Sequence, residues 1–224
     1  MRDKVFGWSY AQVMNFKHRL QRFFVLAALG LVFGALIGYW SSRNDAPDSR
    51  SEKSMLVATS IGGAFSLVDQ DGIARSEKDY AGKYLLIYFG FTYCPAICPT
   101  ELSKITEAYL SLPEAFQEQV QPIFVTIDPE RDTPDVLKGY VGLFMPQLVG
   151  LTGTIEQIEE VKKSFKVYAA KVPDEGGGAE DYTMDHTSLI YLFDPEGHVV
   201  AMFKTADTSD DIQFRLIGLL KGSS

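Results

Sequence analysis

Two cysteines four positions apart, Cys94 and Cys98, are the residues best suited to chemistry, and they are the only cysteines in the chain. They lie in the stretch L-L-I-Y-F-G-F-T-Y-C-P-A-I-C-P-T-E-L. The apolar run Leu85 to Phe91 before them predicts a buried strand. After Cys98, Pro99 and apolar residues at spacings of three and four predict a helix with proline in its first turn. Both sulfurs are therefore expected in a strand-to-helix turn.

The predicted helix N-terminus beside Cys98 suggests reactive thiols. Unpaired backbone N–H groups and the helix dipole favour a thiolate, so we expect a lowered pKa for both cysteines. Two low-pKa thiols in one turn suit either a redox pair or half of a site for a soft metal. Two cysteines are too few for the disulfide framework of a fold this large, so their spacing carries the information.

A third ligand for a soft metal would be a histidine, and the chain has three. His18 precedes the predicted membrane segment and is excluded. His198 follows the turn at Gly197, where a solvated turn residue is expected. His186 comes directly after a glycine-rich acidic loop and before a predicted strand. From the residues alone, a structural or exposed role for His186 stays open beside that of a ligand.

The apolar patterns around these residues predict alternating strands and helices from about Met55 onward. The first elements, in chain order, are a hairpin of Ala64–Val68 and Ile73–Arg75, the central strand and helix, a strand at Pro122–Ile127 and a helix capped by Thr133. A strand at Leu148–Leu151, a helix with a Thr154/Gln157 capping box and a strand at Val167–Val172 follow. The chain ends with a hairpin of Thr187–Phe193 and His198–Phe203 and a last helix capped by Thr208 or Ser209. This order predicts a mixed sheet covered on both faces. A cysteine pair at the end of the first βα unit points to an α/β thioredoxin-like fold with an N-terminal hairpin and a C-terminal hairpin plus helix.

The N-terminal part of the chain has a different composition. Residues 23–40 carry no charge and are about long enough to span a bilayer as one helix. The basic flank over 1–22 predicts a cytoplasmic N-terminus by the positive-inside rule, 41–57 is a polar tether, and 58–224 is the globular domain. A cleavable signal peptide is the alternative, but no small-x-small cleavage site follows the apolar segment. We therefore expect a single-pass protein of the bacterial inner membrane with a periplasmic domain, or alternatively of the mitochondrial inner membrane facing the intermembrane space.

The composition of the chain excludes one class of partner. With 46% hydrophobic residues and a net charge of −8, the chain is typical of globular proteins, and no nucleic-acid partner is expected.

Four segments together resemble the SCO/SenC family of copper-binding proteins. They are F-G-F-T-Y-C-P-A-I-C-P-T-E-L, D-P-E-R-D, L-T-G and Y-T-M-D-H-T, and the resemblance covers roughly residues 58–222. It implies a membrane-tethered thioredoxin-like protein that takes part in building the dinuclear copper centre of cytochrome c oxidase. It also implies that Cys94, Cys98 and His186 bind one copper ion.

The implied ligands suit the implied metal. Two thiolates and an imidazole favour Cu(I), with Cu(II) left open, whereas zinc would want a fourth ligand. Asp185 either orients the ring of His186 or lies outside the site. Asp128 is expected at the same edge of the sheet as the thiols, although a cap or turn role is the more common one.

Four functions follow from these residues. The first is a copper metallochaperone that binds and transfers rather than turns over, with the copper-centre subunit of the oxidase as partner. The second is a thiol-disulfide reductase with Cys94 and Cys98 as its redox pair, which keeps the copper-ligand cysteines of the target reduced. Other copper chaperones and thioredoxin-like reductants are further expected partners. A thiol peroxidase using Thr100 and Arg131, and a purely structural disulfide, rank below both.

Overall fold

The computed structural model describes residues 30, 34–35, 39, 61–174, 176 and 181–222. The chain divides into two compact units, 1–54 and 55–224. In the first unit, Gly30, Gly34, Ala35 and Tyr39 are helical. Most of the predicted anchor over 23–40, and all of 1–22 and 41–57, lie outside the described residues. Within the described part of the chain, no helix is both long and apolar enough to cross a membrane, and the anchor stays a prediction.

The second unit contains nine described strands and five described α-helices. The strands are β1 (Ser66–Asp69), β2 (Ala74–Ser76), β3 (Tyr84–Gly90), β4 (Val120–Thr126), β5 (Val149–Thr152), β6 (Ala169–Pro173), β7 (Tyr182–His186), β8 (Leu189–Phe193) and β9 (Val199–Lys204). The helices are α1 (Ile97–Leu110), α2 (Glu114–Gln117), α3 (Pro134–Val141), α4 (Ile155–Phe165) and α5 (Ser209–Gly222), with a 3-10 turn at Glu77–Tyr80.

A seven-stranded mixed sheet forms the centre of this unit, in the order β2-β1-β5-β4-β3-β8-β9. Strand β3 pairs in parallel with β4 over its whole length and antiparallel with β8 at residues 85–88, so its middle residues are paired at both edges. Phe89 packs on Phe165 of α4, whereas Tyr88, on the opposite face, reaches Cys98 of α1. The sheet is therefore covered on both faces, and the predicted α/β arrangement is confirmed.

The predicted terminal hairpins are also confirmed. Strands β1 and β2 pair antiparallel around a turn in which Asp69 accepts the amides of Asp71 and Ile73. Strands β8 and β9 pair antiparallel, and α5 follows them. Thr133 and Thr154 cap α3 and α4 as expected.

The strand that carries His186 differs from the prediction. Tyr182–His186 is a strand of its own, and it pairs with β6 in a separate two-stranded sheet, whereas the sequence placed a single strand over Thr187–Phe193. The alternation was present, because Tyr182 and Met184 are buried and Thr183 and Asp185 are exposed. It was obscured by the preceding glycine-rich loop and by a partner strand that is largely exposed.

Candidate metal centre

Cys94 and Cys98 lie in the turn between β3 and α1, as predicted. Helix α1 begins at Ile97, and its N-cap, Ala96, has no side chain to cap it. The sulfur of Cys94 takes that place, because it accepts the backbone N–H of Cys98 at 3.3 Å. Cys94 is half-buried and Cys98 is fully buried, and both are free thiols.

His186 reaches the same point from a different part of the chain. It is the last residue of β7, and its Nε2 lies 3.7 Å from the sulfur of Cys98. Its Nδ1 donates to the backbone carbonyl of Thr187 at 3.0 Å, so that Nε2 faces the sulfurs. Phe91 and Tyr88 hold the ring edge-on, with centroids 5.8 and 6.3 Å away.

The two thiols differ in acidity. Hydrogen bonds from the Cys98 thiol first, and then from His186 and backbone amides, lower the pKa of Cys94 to about 3 against the effect of burial. The hydrogen bond that Cys98 makes to this thiolate, together with burial, raises the pKa of Cys98. The prediction of two low-pKa thiols is thus confirmed for Cys94 and wrong for Cys98. The cause is that two sulfurs this close share one proton, and the buried one retains it.

Tyr88 and Gly90 also belong to the site, and the sequence analysis did not predict them as site residues. The hydroxyl of Tyr88 donates to the sulfur of Cys98 at 3.7 Å, and Tyr88 is fully buried. A Cβ at Gly90 would lie 2.8 Å from the same sulfur, so only glycine admits Cys98 here. Both residues resemble ordinary members of a buried strand, and nothing in the local pattern separates them from the core.

The acidic residues near the site have distinct positions. Asp185 is exposed, and the carbonyl of Thr187 takes the orienting role considered for it, so Asp185 lies outside the site. Asp128 is buried and accepts the hydroxyl of Tyr182 at 2.8 Å and Nε of Arg131 at 2.5 Å. Asp128 is therefore more than a turn residue.

The peroxidase arrangement does not form. Thr100 is exposed and donates to the carbonyl of Ala96, and Arg131 is paired with Asp128. Neither is bonded to a thiol.

The three predicted ligands lie close together, and hydrogen bonds link them to one another. The sulfur of Cys98 contacts Nε2 of His186, and the sulfur of Cys94 accepts the backbone N–H of Cys98. Over the described residues, no group of three or more Cys, His, Asp or Glu side chains is already arranged around a single metal position. A metal ion would have to replace these hydrogen bonds, and a set of two sulfurs and one imidazole nitrogen fits a soft ion.

The comparison with known proteins decides the family. The sequence profile of SCO1/SenC matches residues 53–221. The chain belongs to the SCO1/SenC family. Among curated SCO proteins, it is 43% identical over 158 residues to "Protein sco1" of Schizosaccharomyces pombe, covering 70% of this chain and 60% of that protein. It is 42% identical over 149 residues to the mitochondrial SCO1 homolog of Homo sapiens, covering 64% and 47%. The chain thus spans about half to three fifths of the length of these SCO relatives.

Solved structures of SCO1/SenC relatives share the fold. ScoI of Bradyrhizobium japonicum, solved with copper bound, is 45% identical with a TM-score of 0.64, covering 70% of this chain and 97% of that one. BsSco, a member of the Sco family of cytochrome c oxidase assembly proteins in which a disulfide switch is identified, is 30% identical with a TM-score of 0.55, covering 71% and 93%. A relative with this fold therefore binds copper.

Proposed function

We propose that this protein binds one copper ion through Cys94, Cys98 and His186 and delivers it to the copper centre of cytochrome c oxidase. The observation that carries the proposal is the 3.7 Å contact between the sulfur of Cys98 and Nε2 of His186. These side chains come from α1 and β7, which have no backbone pairing with each other. Cys94 completes the set, because its sulfur accepts the backbone N–H of Cys98 in the same turn.

The spacing of the donor atoms supports this role. With metal–sulfur bonds of about 2.3 Å and metal–nitrogen bonds of about 2.0 Å, two ligands of a trigonal ion lie about 3.7 Å apart. Cys98 and His186 already have this separation. Cu(I) suits two soft sulfurs and an imidazole, with Cu(II) as the other oxidation state to be tested.

The exposure of the donors supports transfer rather than storage. Cys94 is half-buried and carries the more acidic thiol, whereas Cys98 is buried. Cys94 and His186 are partly exposed whereas Cys98 is buried, so an acceptor protein would approach the copper from the side of Cys94 and His186. Exchange of ligands would then begin at these two residues and end at Cys98.

The anchor and the location belong to the same proposal. The uncharged segment 23–40 and the basic residues before it support a single-pass protein of a bacterial inner membrane, with the copper domain in the periplasm. The mitochondrial inner membrane is the alternative location. Tethering would hold the domain close to a membrane-bound oxidase subunit.

Reduction of the target's cysteines is the second candidate, and the unequal thiols favour it. The thiolate of Cys94 would attack a disulfide of the target and form a mixed disulfide, releasing one target thiolate. Cys98, on losing its proton, would then attack the sulfur of Cys94 and release the second target thiolate. This step would convert the two cysteines to a Cys94–Cys98 disulfide, and a thiol reductant would reduce that disulfide back to two thiols.

An anaerobic Cu(I) titration of the full-length protein in detergent micelles, against a competing chelator, tests the copper proposal. We expect one Cu(I) per chain, with an affinity that falls in His186→Ala by more than the about 10–100-fold that loss of an outer-shell partner costs, because a direct ligand is removed. His198→Ala is the matched control, since His198 lies in an exposed turn beside Asp194. Equal affinity in His186→Ala and His198→Ala would overturn the three-ligand site and leave the dithiol as a redox device.

A further inference from the structure

Arg131 lies between the two parts of the chain that carry the copper ligands. Its guanidinium carbon is 4.8 Å from the ring centroid of Tyr93 and 3.7 Å from that of Tyr182. Tyr93 is the residue before Cys94, and Tyr182 is the first residue of β7, which ends at His186. One cation is therefore stacked between the cysteine turn and the strand of the histidine.

Polar contacts fix the histidine side of this stack. Arg131 donates from Nη1 to the backbone carbonyl of Tyr182 at 2.8 Å and pairs through Nε with Asp128 at 2.5 Å. Asp128 in turn accepts the hydroxyl of Tyr182 at 2.8 Å. Tyr182 is thus bonded at its backbone and at its hydroxyl by the two partners of a single ion pair.

The β6–β7 hairpin depends on such contacts. It forms a sheet of its own, without strand pairing to the central sheet. The loop after β4 contacts both of its strands, because Glu130 pairs with Lys171 on β6 while Arg131 holds Tyr182 on β7. Side chains of this loop therefore dock the hairpin that carries His186 beside the cysteine turn, in addition to the short connection from His186 to β8 of the central sheet.

Arg131 also has a feature that lowers the stability of the fold. Its Nη2 is buried and has no hydrogen-bond partner among the described residues. An unsatisfied buried donor destabilises a fold and calls for an explanation. A role in positioning the site supplies one, since the planar guanidinium can stack on two rings and bond in its plane at the same time.

We propose that Arg131 is a positioning residue, which holds the histidine hairpin against the cysteine turn and so sets the separation of His186 from the two sulfurs. The inference rests on the proposed copper site and adds to it the residue that keeps its ligands together. Arg131 is not proposed as a copper ligand, since its guanidinium bonds Asp128 and the carbonyl of Tyr182. Its effect on copper passes through His186, and Tyr93 supplies the surface of the cysteine turn against which Arg131 holds the hairpin.

A double-mutant cycle on Cu(I) affinity tests this role in the full-length protein. We expect Arg131→Met to weaken Cu(I) binding about 10–100-fold, as loss of an outer-shell partner does. In a His186→Ala background the same change should have little further effect, because the residue being positioned is gone. Arg131→Lys should restore only part of the affinity, since an ammonium keeps the charge but not the planar stack. Arg75→Met is the matched control, because Arg75 pairs with Asp69 in the distant N-terminal hairpin.

A second variant covers the case in which Arg131→Met does not fold. Tyr93→Leu removes only the exposed ring on the cysteine side of the stack, where Tyr93 is 67% exposed, and it should weaken Cu(I) binding in the same direction. Affinities of Arg131→Met or Tyr93→Leu equal to that of the wild type would overturn the inference. So would an equal loss in Arg131→Met with and without His186. Failure of the copper site itself is distinguishable, because the wild-type affinity would then not depend on His186.

Discussion

At the scale of single residues, the chemistry of the site depends on what surrounds Cys98. The hydrogen bond to the thiolate of Cys94, and then burial, raise the pKa of Cys98, and the hydroxyl of Tyr88 is a donor to its sulfur. Burial also raises the pKa of Tyr88, so this hydroxyl keeps its proton at any working pH. Tyr88 is thus a permanent donor that stabilises the reduced sulfur more than a disulfide sulfur, which is the weaker acceptor.

Tyr88→Phe removes this hydrogen bond with little change of shape. We expect the reduction potential of the Cys94–Cys98 couple to become more negative by roughly 10–30 mV, since a hydrogen bond contributes about 0.5–1.5 kcal/mol and 30 mV corresponds to about 1.4 kcal/mol. The measurement is equilibration with a thiol redox buffer at pH 7. Tyr191→Phe, a buried tyrosine packed on Phe89, should leave the potential unchanged. A potential that moves equally in both variants would show that core packing, not the hydrogen bond, is responsible.

At the scale of elements, one buried carboxylate ties the cysteine turn to the sheet. Asp132 accepts the backbone N–H and the hydroxyl of Thr92 at 3.1 and 2.5 Å, and the hydroxyl of Thr126 at 2.6 Å. Thr92 follows β3 and Thr126 ends β4. Burial, opposed by these hydrogen bonds, raises the pKa of Asp132. The buried negative charge therefore destabilises the fold, whereas the hydrogen bonds that the carboxylate accepts stabilise it.

Asp132→Ala should therefore destabilise the domain more than Asp132→Asn does. The alanine leaves the three donors without their acceptor, which costs about 1–3 kcal/mol or more, whereas asparagine keeps an acceptor and removes the unfavourable charge. Urea unfolding of the reduced protein measures both. Asp135→Ala, at an exposed position in the first turn of α3, should lie within about 0.5 kcal/mol of the wild type. An equal loss in the alanine and asparagine variants would mean that the charge itself stabilises the fold.

The elements also differ in how well local sequence patterns predict them. The cysteine turn, the caps at Thr133 and Thr154 and the terminal hairpins follow from local patterns, because strand-to-helix turns and capping boxes are encoded within a few residues. The β6–β7 hairpin does not, because its docking beside the cysteine turn involves side chains of the loop after β4. The candidate ligands were found through cysteine spacing and family resemblance, whereas Tyr88, Gly90 and Arg131 act only through contacts between distant segments.

At the scale of the whole molecule, the shared proton of the two thiols couples the site to folding. The pKa of Cys94 is lowered to about 3 in the folded protein, whereas an unperturbed cysteine has a pKa of about 8.5. Between these values the unfolded chain binds more protons than the folded one, so the contribution of Cys94 to stability grows as the pH rises. The raised pKa of Cys98 has the opposite effect only above about 8.5, where an unfolded thiol would ionise and the folded one would not.

The metal-free, reduced protein should therefore gain stability from Cys94 as the pH is raised from 5 towards 8, by less than the limiting slope of about 1.4 kcal/mol per pH unit, because solvent screens this half-buried thiolate. Cys94→Ser removes the titrating group, so the difference in unfolding free energy between wild type and variant should widen over this range. The same subtraction cancels the contributions of the carboxylates, which both proteins share. Urea unfolding in a thiol reductant under metal chelation, at pH 5, 6, 7 and 8, gives this difference directly. A difference that stays constant with pH would mean that Cys94 retains its proton in the folded state, and that copper must displace protons from both thiols rather than from Cys98 alone.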